Sequence, residues 1–148
     1  MAQRVCPWWL GYLLASPLRR LVQDPQKVLA PYVREGMTVL EPGPGMGFFT
    51  LALARLVGPS GRVVAVDIQP RMLASLKRRA ARGSLLERID ARWAAPNTLR
   101  IADLAGAVDL TLAFAMVHEL PAVEAFFAEL AMASKPGAGC SLSSRPGM

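Results

Sequence analysis

The sequence predicts an α/β domain: a mostly parallel sheet covered by helices on both faces. Short apolar or β-branched runs alternate with stretches of helical length, and glycine and proline breakers fall between them. At 148 residues, 53% hydrophobic and 19% charged, the chain suits one globular core rather than a disordered or two-domain protein. Strands that alternate with helices imply parallel pairing, because each crossover lays a helix on a sheet face.

The elements follow in order. Ser16 before Pro17 and Asp24 before Pro25 each place a capping side chain ahead of a proline at a first helical position. Two helices therefore come first, the second stopping near Gly36. Thr38 to Glu41 reads as the first strand and Phe48 to Val57 as a helix, closed by Gly58-Pro59-Ser60-Gly61. Val63 to Asp67 is a second buried strand. Pro70 to Arg82 is a helix with Met72, Leu73 and Leu76 inward and Arg71, Lys77 and Arg78 in water. Ile89 to Arg92 is a weak third strand and Val108 to Phe114 a strong fourth. Ala122 to Ala133 is a helix with Val123, Phe126, Phe127 and Leu130 at core spacing.

The net charge of +6, from 17 basic and 11 acidic residues, gathers partly in Lys77, Arg78, Arg79 and Arg82. No aromatic residues alternate with these cations to stack bases, so they read as a solvated helix face and no nucleic-acid partner is expected. Two cysteines, Cys6 and Cys140, give neither a disulfide framework nor a metal-ligand spacing, which fits a reducing cytoplasm and no metal. The apolar run from Val5 to Ala15 is too short to span a membrane and is interrupted by Pro7 and Gly11. It reads as a packing segment. The alternative sets Trp8, Trp9, Tyr12, Leu13 and Leu14 on a membrane surface beside Arg19 and Arg20.

The segment Glu41-Pro42-Gly43-Pro44-Gly45-Met46-Gly47 lies where a buried strand turns into a helix, the point at which an open α/β sheet presents its ligand crevice. Alternate glycines allow a tight turn and close backbone approach, and the helix start offers free amide donors. A dinucleotide fingerprint needs a glycine where Phe48 stands, which disfavours a nicotinamide-dependent oxidoreductase. Asp67 ends the second strand, where a carboxylate can accept both hydroxyls of a ribose or cap the helix at Pro70.

Glu41 followed by Gly43, Gly45 and Gly47 resembles motif I of the class I S-adenosylmethionine-dependent methyltransferases, which have a Rossmann-like sheet. Asp109 to Leu120 resembles their motif IV. The resemblance runs from Cys6 to Gly137 and is nearest to small-molecule methyltransferases of the type 11 kind, related to those of quinone biosynthesis. It implies S-adenosylmethionine as cofactor and a small-molecule acceptor. Gly43, Pro44, Gly45 and Gly47 would form the cofactor loop, with Glu41 meeting the methionine ammonium group. Asp67 would take the ribose hydroxyls and Ile68 the adenine face. Phe114 would stand nearest the methyl group. The family usually places an acidic or amide group after the third strand, where this chain has Arg92, Trp93 and Ala94; Trp93 either covers the adenine or belongs to the core. No catalytic side chain is assigned, since methyl transfer from a sulfonium is a direct displacement that depends on alignment. His118, the single histidine, reads as a capping or packing residue, with general-base work as the alternative.

The resemblance also implies a fifth strand, a further helix and a terminal hairpin after Ala133. Residues 138–146 hold one strong apolar side chain and read as poor material for a strand buried on both faces. The expected organisation is an N-terminal helical segment (1–36), a cofactor-binding core (37–137) and an atypical tail (138–148), with the last strands lacking. The tail can be back-translated so that a shifted frame encodes Leu-Leu-Ser-Leu-Glu-Pro-Ala-Gly-His, which motivates a frameshift hypothesis. On this expectation the fourth strand lies at a sheet edge, open to homodimer pairing, and turnover is impaired. The alternative function is a non-catalytic binding or dimerisation module using that edge and the N-terminal aromatics.

Overall fold

The computed structural model describes residues 24–45, 47–114 and 123–143. The N-terminal apolar run, the Ser16–Pro17 helix start, Met46 and His118 lie outside them. Five strands form one parallel sheet in the order β3-β2-β1-β4-β5. They are β1 (Thr38–Pro42), β2 (Arg62–Asp67), β3 (Ile89–Trp93), β4 (Val108–Phe114) and β5 (Ser134–Ser143). The helices are α1 (Pro25–Leu29), α2 (Phe48–Val57), α3 (Pro70–Arg82) and α4 (Val123–Ala133). Among the described residues no helix is long and apolar enough to cross a membrane.

Period-two alternation divides the sheet between two cores. Val39, Val63, Ala65, Leu110 and Leu112 pack under α1, α2 and α3. Leu40, Val64, Val66 and Ala113 pack on the other face with Phe126, Leu130 and Ala133 of α4 and with Leu99, Ile101 and Leu104 of the preceding connection. The expected inward residues of α3, Met72, Leu73 and Leu76, are buried.

Three expectations are corrected. The second N-terminal helix ends at Leu29 rather than near Gly36, since Pro31 has no N–H with which to extend the ladder. Its start is as expected: Asp24 Oδ1 accepts the Gln26 amide at 3.0 Å. In α4, Val123 and Phe127 remain well exposed while Phe126, Leu130 and Ala133 are buried. The sheet takes one stripe of that helix, and Phe127 packs edge-on against Phe126 at its margin.

The third correction concerns the tail, which forms β5 alongside β4, pairing Leu110 with Gly139 through Phe114 with Ser143. β4 is thus an interior strand and loses the edge expected of it. Apolar content is a poor guide here because, among the described residues, β5 pairs with β4 alone, and the backbone ladder requires no large side chain. Gly139 even suits the position, as an added Cβ would press on Leu110 at 3.1 Å. Between Val108 and Leu110 the register shifts, so that residues 135–138 stand opposite Asp109.

Asp109 fastens this irregularity. One carboxylate oxygen accepts the Thr38 amide at 2.8 Å and the other meets Lys135 Nζ at 2.8 Å, joining β1, β4 and β5. Burial pushes the carboxyl up, but hydrogen bonds from Lys135 and the Thr38 amide, with the lysine charge, outweigh it and hold it below its usual range. Its contribution is therefore complete above about pH 4 and is lost as the pH falls through the lowered value. Asp109→Ala should reduce unfolding stability at neutral pH by about 1–3 kcal/mol, the cost of unpairing a part-buried amide and losing a charge-assisted bond. Urea titration at pH 7 and at successively lower pH checks this: the difference between variant and parent should narrow as the pH falls below the usual carboxylate range.

Candidate functional site

The carboxyl ends of β1, β2 and β3 meet at one rim of the sheet, where the glycine loop leaves β1. Gly43 remains in the ladder, its amide bonded to Val66 O at 2.8 Å, and the Gly47 amide closes a turn onto Pro44 O at 3.1 Å. Gly45 and Gly47 have φ of +58° and +96°, the left-handed region in which a side chain is strained. They differ in surroundings. A Cβ on Gly47 would collide with buried Leu76, whereas one on Gly45 meets nothing within 4 Å among the described residues. Gly47 lets α2 pack on α3, while Gly45 leaves the outer side of the loop open. Gly47 is also the N-cap of α2 and brings no side-chain hydrogen bond to its first turn.

Glu41 and Asp67 share the α2/α3 face of neighbouring strands, with side chains 3% and 6% exposed. The Glu41 carboxyl accepts a 2.5 Å hydrogen bond from Thr50 Oγ1, in the first turn of α2. Among the described residues no cation pairs with it. Burial pushes the Glu41 carboxyl up to about 7; the Thr50 hydrogen bond opposes this and the nearby Asp67 charge adds to it. Asp67 Oδ1 accepts the Gln69 amide at 2.8 Å, a local turn just ahead of α3 rather than the expected helix cap, since Gln69 is the N-cap of α3 and no side chain caps that helix.

The remaining sequence-predicted residues divide. Ile68 is half-buried beside Asp67. Trp93 is 55% exposed, which overturns its reading as core; its indole Nε1 donates to Ile68 O at 3.1 Å. Phe114 ends β4 on the same rim. Arg92, where the family usually has an acid or amide nearby, lies opposite Val66, on the sheet face away from Glu41 and Asp67, and clamps two carboxylates. It holds Asp103 through both terminal nitrogens at 2.6 and 2.8 Å and Asp90 at 2.8 Å. Hydrogen bonds that it donates to Asp103 and then to Asp90 raise the guanidinium further above its ordinary range. Thr50 was missed by sequence reasoning, although its position, in the first turn of the helix after the glycine loop, is a signal for it.

A glycine loop between β1 and a helix, with a buried carboxylate at its root and a second on the next strand, defines an α/β domain for a nucleoside-containing cofactor. Residues 39–137 match the family model described as methyltransferase domain, and the chain belongs to that family. A solved S-adenosylmethionine-dependent methyltransferase from Aquifex aeolicus superposes with a TM-score of 0.84 at 29% identity, covering 93% of this chain and 72% of that one. An arsenite methyltransferase from Halobacterium salinarum is 29% identical over 108 residues, 73% of this chain and 27% of that protein. A protein-L-isoaspartate O-methyltransferase from Methanothrix thermoacetophila is 44% identical over 50 residues, 34% of this chain and 24% of that protein. The matched region thus spans about a quarter of the length of these curated relatives. The methyl donor of such proteins is S-adenosylmethionine.

The residues present fit that group. Among the described residues, a buried carboxyl without a cation, a glycine loop in left-handed conformation and a carboxylate one strand away match the charge and polarity of an amino acid joined to a nucleoside. Without ligand, Glu41 carries a linkage cost. Its folded pKa lies above its ordinary 4.5, so its contribution is most favourable below about pH 4.5 and is lost as the pH rises through about 7. Glu41→Gln removes that titration, so the variant should gain stability relative to the parent across this window, on the order of 2–3 kcal/mol. Urea unfolding at pH 4.5, 6 and 8 measures it; a constant difference would contradict the burial cost.

Proposed function

We propose that this chain is the donor-binding core of an S-adenosylmethionine-dependent methyltransferase whose acceptor is a small molecule. The observation that carries the proposal is the buried Glu41 carboxyl, which has no cation partner among the described residues, beside the Gly45 turn and one strand from Asp67. In the ionised form Glu41 accepts the ammonium group of the donor's methionine part, with Thr50 steadying one oxygen. Gly43, Pro44, Gly45 and Gly47 form the loop along that part, and Asp67 accepts the ribose hydroxyls. Ile68 covers an adenine face, and Phe114 is assigned to the sulfonium side. The cofactor supplies an electrophilic methyl group. The protein's work is to hold the donor in line with the acceptor and keep water out.

A small acceptor is supported by the arsenite methyltransferase, the relative here whose alignment covers most of the chain; the match to a protein-modifying enzyme covers a third. The basic run of α3 remains in water, with Lys77 and Arg78 exposed, as a solvated face would.

S-adenosylhomocysteine, the product with the same recognition groups, should raise the melting temperature of the protein in a dose-dependent way. Asp67→Ala should weaken its binding at least tenfold, about 1.4 kcal/mol or more for charge-assisted bonds to the ribose. Gly45→Ala should cost about 1–2 kcal/mol of stability for its left-handed φ and weaken binding by a larger factor than that strain implies. No thermal shift at saturating dose would overturn the proposal. Radiolabelled methyl transfer to a panel of thiol, phenol and arsenite acceptors tests the acceptor class.

A further inference from the structure

An exposed tryptophan needs a reason, since the indole is a large apolar group and its one polar atom can only donate. Trp93 spends that donor on the Ile68 carbonyl. The same Ile68–Gln69 peptide unit offers its N–H to the Asp67 carboxylate at 2.8 Å. In a planar trans peptide the C=O and N–H point to opposite sides, so the indole and the carboxylate grip one rigid plate from its two edges. Rotation of that plate would withdraw the donor against which Asp67 is set. The preceding carbonyl, Asp67 O, is held from the same strand end by the Ala94 amide at 2.9 Å.

The indole is itself braced. The Arg100 guanidinium lies 5.4 Å from the ring centroid, a cation–π contact. Arg100 adopts φ of +56°, unusual for a residue with a side chain, and needs external support. Its amide bonds Thr98 Oγ1 at 3.2 Å, and its carbonyl accepts from the clamped Arg92 at 3.3 Å. Support therefore runs from the Arg92 clamp through Arg100 to Trp93 and the Ile68–Gln69 peptide.

We propose that Trp93 is a positioning residue: by holding the Ile68 carbonyl it fixes the peptide that orients Asp67 for the ribose of the cofactor. The inference rests on the reading of Asp67 given above and extends it to a residue that need not touch the ligand. In this chain, an indole at the end of β3 supports nucleoside recognition from behind.

Trp93→Phe keeps an aromatic ring at this position and removes the N–H donor. It should weaken S-adenosylhomocysteine binding about fivefold by calorimetry, as expected for one lost hydrogen bond. The 2′-deoxy analogue, deprived of one of the hydroxyls assigned to Asp67, should lose clearly less, because the coupling passes through that contact. Equal weakening of both ligands, or none, would overturn the proposal. A ligand-free readout accompanies it: the Gln69 amide should exchange with solvent hydrogen about fivefold faster in the variant, and unchanged exchange would also overturn it. Arg100→Gln, which preserves the indole donor, should give a smaller change of the same kind; an effect exceeding that of Trp93→Phe would contradict the order of support. If the parent fails to bind S-adenosylhomocysteine, the cofactor reading fails, while Gln69 exchange still decides whether Trp93 holds the loop.

Discussion

A carboxyl group placed inside a protein without a cation is costly, and Glu41 has none beside it among the described residues. It sits at the end of the central strand, with one hydrogen bond from Thr50 and a second carboxylate, Asp67, nearby. A fold can bear that arrangement if the group stays protonated or if a ligand brings the missing charge. An ammonium-bearing donor does the latter, which turns a defect of the empty protein into affinity for the loaded one.

The rest of the fold serves that position. β1 lies between β2 and β4, so Glu41 is carried by a strand with ladders on both sides, and the crossover from β1 through α2 to β2 brings Asp67 to the same rim. Gly47 lets α2 seat against Leu76, which fixes Thr50 over Glu41; Gly45 leaves the approach clear. On the far side of the sheet, Asp109 joins the starts of β1 and β4 to Lys135. Rigidity at the base allows the rim to hold a strained loop and a poorly solvated acid without collapsing onto them.

Much of this was legible in the residues. Strands one to four and the helices beginning at Phe48 and Pro70 follow from apolar period and breaker placement, and Glu41, Gly45 and Asp67 stand out because glycine and acid fall at strand ends. β5 was not legible, since Gly139 and its neighbours carry no burial pattern; a strand with one ladder is specified by backbone pairing with β4. The outward turn of Phe127 depends on how α4 docks, which the helical period alone leaves undetermined. The parts played by Trp93 and Arg92 were not legible for the same kind of reason: an indole donor and a guanidinium fork find partners distant in sequence, Ile68 and Asp103.

Proton release on binding tests the central claim most directly. Titrating S-adenosylhomocysteine into the protein in buffers of different ionisation enthalpy counts the protons exchanged. If Glu41 must ionise to receive the ammonium group, about one proton should leave per ligand near pH 6, falling toward none by about pH 8.5. In Glu41→Gln this release should vanish. Binding at pH 6 without proton release, or equal release from the glutamine variant, would contradict the role given to Glu41.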